Sequence, residues 1–337
     1  MNELTIVQAL GIDSSESETE ITVQFLNINQ TSDSTDAPSS NIVSTTSGSG
    51  KSISEAVFSA SKTVSDKLFT GQNKIIVFGF EYAQNQLVKG IEYLCESSSS
   101  RPDVLVALSK ESAKDIIKSK ENGSKIPAES ICNLITLGER NGNAAAITVC
   151  DLLNLYNDET SDIYLPVLSE NEGRTECASI ACFSNEKFAV FLEGEKAFAF
   201  MMIKNKVESG TFSSGNTLLN VISSDSKNSV EIKNREINFN INIKIKMSVN
   251  EIEKDSLSPL TESDYKNIEA ACESKLKALC ESAVYDCFSN KSDPFMCARY
   301  LYSDEIALYD LLKDNWRENL KNIRVNAKVN AQIQRIK

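Results

Sequence analysis

The sequence predicts an α+β protein of three mixed α/β regions, the last of them an antiparallel sheet with long helices. Three observations carry that prediction. Over residues 1–119, apolar runs of strand length alternate with runs of helical period, which implies a sheet covered by helices. From Ile237 to Val249, apolar and polar residues alternate without a fault, and Ile323 to Ile333 repeats the pattern. Between those two segments lies one long helical stretch, Glu262 to Phe288.

The first region, residues 1–119, opens with a strand near Leu4–Leu10 that Gly11 and Asp13 are expected to end. Domains seldom begin so abruptly, so a native segment is expected before Met1. A second strand covers Ile21–Ile28. Residues Asn29 to Ser49, rich in Ser, Thr, Asp and Gly and containing Pro38, read as a long loop with a short extended piece at Ile42–Thr45. Ile53, Val57, Ala60, Val64 and Leu68 form a helical stripe, with Ser52 and Glu55 as a capping box and Gly71 at its C-terminal turn. Lys74–Gly79 reads as a buried strand, and Ala83, Leu87, Ile91 and Leu94 mark a helix that the Ser97–Ser100 run and Pro102 break. Val104–Leu108 is a strand, and Ser109 is expected to cap a short helix through Ile116 and Ile117.

The middle region, residues 120–214, is expected to carry a helix starting at Pro127 and ending near Gly138. A second helix, capped by Thr148, follows. Strands are expected at Ile163–Leu168, Ala178–Phe183, Phe188–Leu192 and Phe198–Ile203, with a hairpin turn at Asn185. In the last region, residues 215–337, the alternating strands each imply one buried and one wet face and a shared sheet. The long helix between them is capped near Thr261 and ends before Pro294. A shorter helix spans Ser303 to Leu312.

Composition narrows the chemistry. The 337 residues carry a formal charge of −12 and no basic run, so no nucleic acid partner is expected. The same charge is repelled by an anionic lipid surface, so membrane attachment would need a covalent lipid or a partner. No apolar window reaches membrane-spanning length; Glu193, Glu195 and Lys196 interrupt the longest, Phe188 to Ile203. The absence of histidine removes Ser-His-Asp and Cys-His catalysis and His-ligated metals. No catalytic, cofactor or metal site is expected. The nine cysteines contain no Cys-x-x-Cys pair. Cys272, Cys280 and Cys287 lie within about 80° of one another on a helical wheel and read as small core hydrophobes.

Gly50-Lys51-Ser52 resembles the end of a phosphate-binding loop. Thr45 stands where the motif needs its first glycine, and Ser52 already has a capping role. A nucleotide-binding protein using Gly50, Lys51 and Ser52 is therefore the remote alternative. An exported small-ligand or polymer-binding protein, recognisable by a deep, mostly apolar pocket between domains, is the nearer one.

Several stretches, in order, resemble one family. They are Glu3–Asp13, Leu68–Gly79, Arg101-Pro102-Asp103, Asp162-Ile163-Tyr164-Leu165-Pro166, and Phe183–Leu192 leading into Glu193-Gly194-Glu195. Asp293-Pro294-Phe295 follows, and then Trp316-Arg317-Glu318-Asn319-Leu320, holding the sole tryptophan. Together they resemble the Ger(x)C spore-germination lipoproteins, although the family's lipobox cysteine is missing from this chain. The resemblance implies three α+β domains in an elongated arrangement and no catalytic activity. It implies the C subunit of a nutrient germinant receptor, lipid-anchored on the outer face of the spore inner membrane and docked on the A and B membrane subunits. Through them it would couple nutrient binding to ion or dipicolinate release. It also implies that the segment expected before Met1 held the signal and the lipidated cysteine.

Overall fold

The computed structural model describes residues 4–16, 18–26, 42–96, 101–119, 126–234, 236–253 and 259–335. Most of the expected Asn29–Ser49 loop, the Ser97–Ser100 run and the expected start of the middle region at Lys120 lie outside the described residues.

In chain order, strands β1 (Leu4–Ser15), β2 (Glu18–Leu26) and β3 (Val43–Gly50) precede helix α1 (Ile53–Ser61). Then come β4 (Lys67–Phe69), β5 (Ile75–Gly79), α2 (Phe80–Glu96), β6 (Leu105–Ser109), α3 (Ala113–Lys118) and α4 (Pro127–Arg140). The two-residue β7 (Ile147–Thr148), α5 (Val149–Tyr156), β8 (Tyr164–Asn171), β9 (Arg174–Ser184), β10 (Lys187–Glu193) and α6 (Glu195–Ile203) complete the first half. The second half holds β11 (Thr211–Ser214), β12 (Thr217–Lys233), β13 (Glu236–Ile252), α7 (Glu262–Ser289), α8 (Cys297–Asp304), α9 (Ile306–Leu312), α10 (Trp316–Asn319) and β14 (Arg324–Gln334).

One ten-stranded sheet has the order β10-β9-β8-β6-β5-β1-β2-β3, with β4 beside β1 and β7 beside β6. Its centre, β1, β5, β6 and β8, is parallel, and its flanks are antiparallel. The sheet joins the first and middle regions directly, since Leu108 and Ser109 of β6 pair with Val167 and Leu168 of β8. Both faces of the centre are buried, so its strands read as continuous apolar runs. Leu10, Ile76, Phe78 and Val106 meet α1, α2 and α5 on one side. Ala9, Ile75, Val77 and Ala107 meet α3 and α4 on the other.

Several expectations are corrected here. Strand β1 does not end at Gly11 and Asp13 but runs on to Ser15. Gly11 lacks a side chain because α3 crosses it: a Cβ there would meet Ile117 Cγ1 at 3.0 Å and Ala113 Cβ at 3.2 Å. Asp13 accepts from the backbone N–H groups of Ala113 (2.8 Å) and Lys114 (2.9 Å), holding the first turn of α3. The cap of α3 is Ser112, not Ser109. Helix α1 stops at Ser61, and Leu68 instead pairs with Thr5 as part of β4. The Ile42–Thr45 piece is the start of a full strand, β3. Residues Phe198–Ile203 are not a strand but the end of α6.

The second sheet has the order β11-β12-β13-β14. It is antiparallel except at β13 and β14, which run parallel with Phe239 opposite Val325 and Ile243 opposite Val329. Phe239, Ile241, Ile243, Ile245 and Met247 form its buried face, as the alternation predicts. Against that face lies α7, opened by a capping box of Thr261 and Asp264. It buries Cys272, Leu276, Cys280, Val284 and Cys287. The expected Ser303–Leu312 helix is two helices, α8 and α9, the first beginning earlier at Cys297. Helix α6 packs against β9, β10, β12 and α7 and so sits between the two sheets.

Candidate functional site

Gly50, Lys51 and Ser52 do not form a phosphate cradle. Gly48 and Gly50 belong to β3, whose register against β2 runs unbroken from Val43 to Gly50. Helix α1 lies so close that a Cβ on Gly48 would sit 2.3 Å from Ala60 N, and one on Gly50 would sit 2.6 Å from Glu55 Cβ. The glycines serve that approach. The donors a phosphate would use are engaged: Glu55 N–H donates to Ser52 Oγ (3.2 Å), and Lys51 N–H donates to Glu55 Oε2 (2.9 Å).

A buried polar knot lies where the two halves of the chain meet. Asp162, just before β8, is buried and accepts from the Asp293 N–H (2.7 Å), the Asn185 N–H (3.3 Å) and Arg317 Nη2 (2.6 Å). The Asp162 N–H donates back to the Asp293 carbonyl at 3.1 Å. Asp293, in the turn before α8, accepts from the N–H groups of Cys297 and Ala298 (2.9 Å each) and from Trp316 Nε1 (3.0 Å). Burial pushes Asp293 up to about 6; those three donors pull it down, and the Asp162 charge pushes it up again. Three of the stretches quoted above, at Asp162, Asp293 and Trp316-Arg317, thus converge in space. No role was assigned to any of these residues from the sequence. The available signal was that a lone tryptophan and two Asp-containing stretches fell far apart in one chain.

The carboxylates of the knot are occupied by fixed donors, so its chemistry is that of a latch between segments. Arg317 and Asp162 also line a polar hollow of about 390 Å3 with Tyr309 and Lys313. A second cavity, of about 240 Å3, lies between α5, β8, α6 and α8, lined by charged as well as apolar side chains. Neither is the deep, mostly apolar pocket named above as the mark of a ligand-binding protein.

Cys272, Cys280 and Cys287 face the core. Cys287 Sγ lies 3.8 Å from Cys182 Sγ of β9, and burial raises the Cys287 thiol. Among the described residues no group of three or more His, Cys, Asp or Glu side chains is arranged for a metal ion, and no helix is long and apolar enough to cross a membrane. Exposed apolar side chains gather on α8 and α9 at Tyr302, Ile306 and Leu311.

Two family models match the chain. The spore germination protein N-terminal domain matches residues 1–170. The spore germination B3/GerAC-like C-terminal domain matches residues 178–337. The spore germination protein GerQC of Bacillus cereus is 23% identical over 215 residues, 62% of this chain and 60% of that protein. The matched part therefore spans less than two thirds of that relative's length. YfkR of Bacillus subtilis (strain 168), described as a spore germination protein, is 21% identical over 345 residues, 97% of this chain and 88% of its own. The crystal structure of the GerBC protein superposes with a TM-score of 0.64 at 16% identity, covering 97% of both chains, and shows the same fold.

Proposed function

The chain belongs to the GerAC-like family of spore germination proteins, and on that premise we propose that it is a non-catalytic C subunit of a nutrient germinant receptor. It docks on the A and B membrane subunits and is held by an N-terminal lipid on the outer face of the spore inner membrane. The observation that carries this reading is the match of the two family domains, in order, over residues 1–170 and 178–337, with the buried knot of Asp162, Asp293 and Trp316 joining the segments they cover. A chain fastened in this way transmits force or orientation between partners as one body, which a docking subunit requires. Its three regions are read as 1–119, 120–214 and 215–337.

The test is reciprocal co-purification from spores carrying a tagged copy, combined with nutrient-triggered germination of a deletion strain. Recovery of the A and B subunits, loss of the nutrient response on deletion and its restoration by the tagged gene are expected. Membrane fractionation should place the native protein with the spore membrane, and hydroxylamine-resistant radiolabelled palmitate should report the anchor. Persistent absence of both subunits from cross-linked membrane extracts would sink the reading.

A further inference from the structure

The cavity of about 240 Å3 is lined by two residues with donors to spare, Tyr164 and Lys204. Tyr164 is only 9% exposed, yet among the described residues its hydroxyl makes no hydrogen bond. The hydroxyl is open to the hollow, where it is free to meet a polar atom from outside. Beside it lies Lys204 at the end of α6. Its ammonium sits over the Tyr164 ring, 4.8 Å from the centroid, and donates to the Pro294 carbonyl at 3.0 Å. That uses one of three donors.

Lys204 differs from the other cations of the cavity. Arg299 pairs with Asp158, and Lys206 lies 3.8 Å from Glu139. Among the described residues Lys204 has no carboxylate partner. The acids around it are already engaged: Glu139 accepts from the Ala146 N–H, Asp151 from Thr148, and Asp158 from Thr160 as well as Arg299. The groups left over are therefore both donors. Apolar contact is supplied by Leu155, Ile147, Met201 and Met296, of which the methionines adapt readily to different shapes.

We propose that this cavity binds a small monocarboxylic acid, its carboxylate accepting from Lys204 Nζ and Tyr164 Oη and its few carbon atoms lying against Met201, Met296 and Leu155. The volume falls below the usual range of drug-sized pockets, which sets the size limit. The site lies where the two halves of the chain meet, a common place for ligands. Burial pushes Lys204 down to about 8, opposed by the Asp293 charge and assisted by Arg299 and Lys206. Tyr164, Glu139, Asp151 and Asp158 line the same space. The ammonium is therefore mostly charged at neutral pH and lost above it, so binding weakens as pH rises through about 8.

The experiment uses the whole chain and ligand-observed NMR with sodium butyrate and sodium benzoate, set against butyramide, benzamide and butylammonium chloride. The acids are expected to bind and the amides and amine to bind at least tenfold more weakly, with Tyr164→Phe losing roughly five- to tenfold in affinity. Lys204→Met should abolish binding. If that variant does not melt cooperatively, the acid-amide contrast and Tyr164→Phe, which keeps the ring, decide alone. Failure of both acids at tens of millimolar, equal binding of acid and amide, tighter binding of the amine, or pH-independent binding between 7 and 9 would each overturn the proposal. None of these outcomes depends on the receptor reading.

Discussion

The two sheets solve the problem of burial in different ways. In the first, the central strand β5 is buried on both faces and is apolar throughout. In the second, β13 has one apolar face on α7 and one wet face, and it alternates. Each pattern suits its surroundings, and each can be read. Helix α6 lies between the sheets, and its residues from Ala197 to Ile203 are all buried. A helix wrapped on every side has no polar face, so the 3.6-residue period vanishes. The element that joins the two readable sheets is thus the one whose sequence carries no periodic signal.

The largest way to break this comparison is to empty the join. Phe200 of α6 is fully buried, with ring centroids of Tyr164 and Phe295 at 5.1 and 5.2 Å. Phe200→Ala should cost about 3–5 kcal/mol. Urea unfolding followed by far-ultraviolet circular dichroism and by the fluorescence of Trp316, the only tryptophan, should then give two separated midpoints instead of one. Coincident midpoints in the variant would show that α6 is not what couples the sheets.

Asp293→Ala comes next. It leaves the N–H groups of Cys297, Ala298 and Trp316 without their acceptor and should cost about 3 kcal/mol. The same residue gives a pH signature. Its pKa is raised from 3.8 to about 6. Between those values the folded chain keeps a proton that the unfolded chain has released. The stability this group contributes is therefore complete below about pH 4 and lost as pH rises through about 6. Urea midpoints of the parent chain and of Asp293→Asn across that window test this, and the variant should lack that fall.

How much of this could be read from residues follows from where each signal came from. The alternation of Ile237–Val249 and Ile323–Ile333 placed two strands and their shared sheet, because a one-sided strand writes its burial into its sequence. The caps at Thr148 and Thr261 placed two helix starts. The parallel pairing of β13 with β14 was not legible, since alternation carries no direction. Strand β12 was missed because its outer half, Ile222 to Lys233, is polar or exposed on both faces. Gly11 and Asp13 carry a turn signal in the sequence, yet they serve α3, a helix a hundred residues away. The latch between Asp162 and Asp293 was likewise hidden by 131 residues of separation. Tyr164 and Lys204 gave no sign, because a spare donor can be recognised only once its neighbours are in place.

The sheets also differ at their edges. The outer strand β14 of the second sheet is sealed by α7. The N–H of Ile333 donates to Glu269 (2.9 Å), that of Ala331 to Glu273 (3.0 Å), that of Ala327 to Glu281 (3.0 Å) and that of Val325 to Tyr285 Oη (3.3 Å). Four helical residues advance about 6.0 Å and two strand residues about 6.6 Å, so the two series stay in step. Removing Glu269, Glu273 or Glu281 singly should cost about 0.5–1.5 kcal/mol. Removing all three should expose a strand edge able to recruit another chain, read as concentration-dependent scattering.

The smallest effect is the sharpest test of that register. Counting back from Glu281 and forward from Glu273, the rung opposite Val329 falls to Lys277, a side chain with no acceptor. Lys277 instead reaches toward Glu281 at 4.0 Å, a long pair with an exposed lysine and of little worth. Glutamine at this position keeps the length, adds no negative charge beside Glu273 and Glu281, and brings a carbonyl to the missing rung. Lys277→Gln should therefore raise the urea midpoint, with a gain of about 0.5–1 kcal/mol, and slow amide exchange at Val329 specifically. Lys277→Met, of similar length and without an acceptor, should do neither. If the glutamine and methionine variants behave alike, the helix and strand are not held in step by these bonds, and the edge of the second sheet is covered by packing alone.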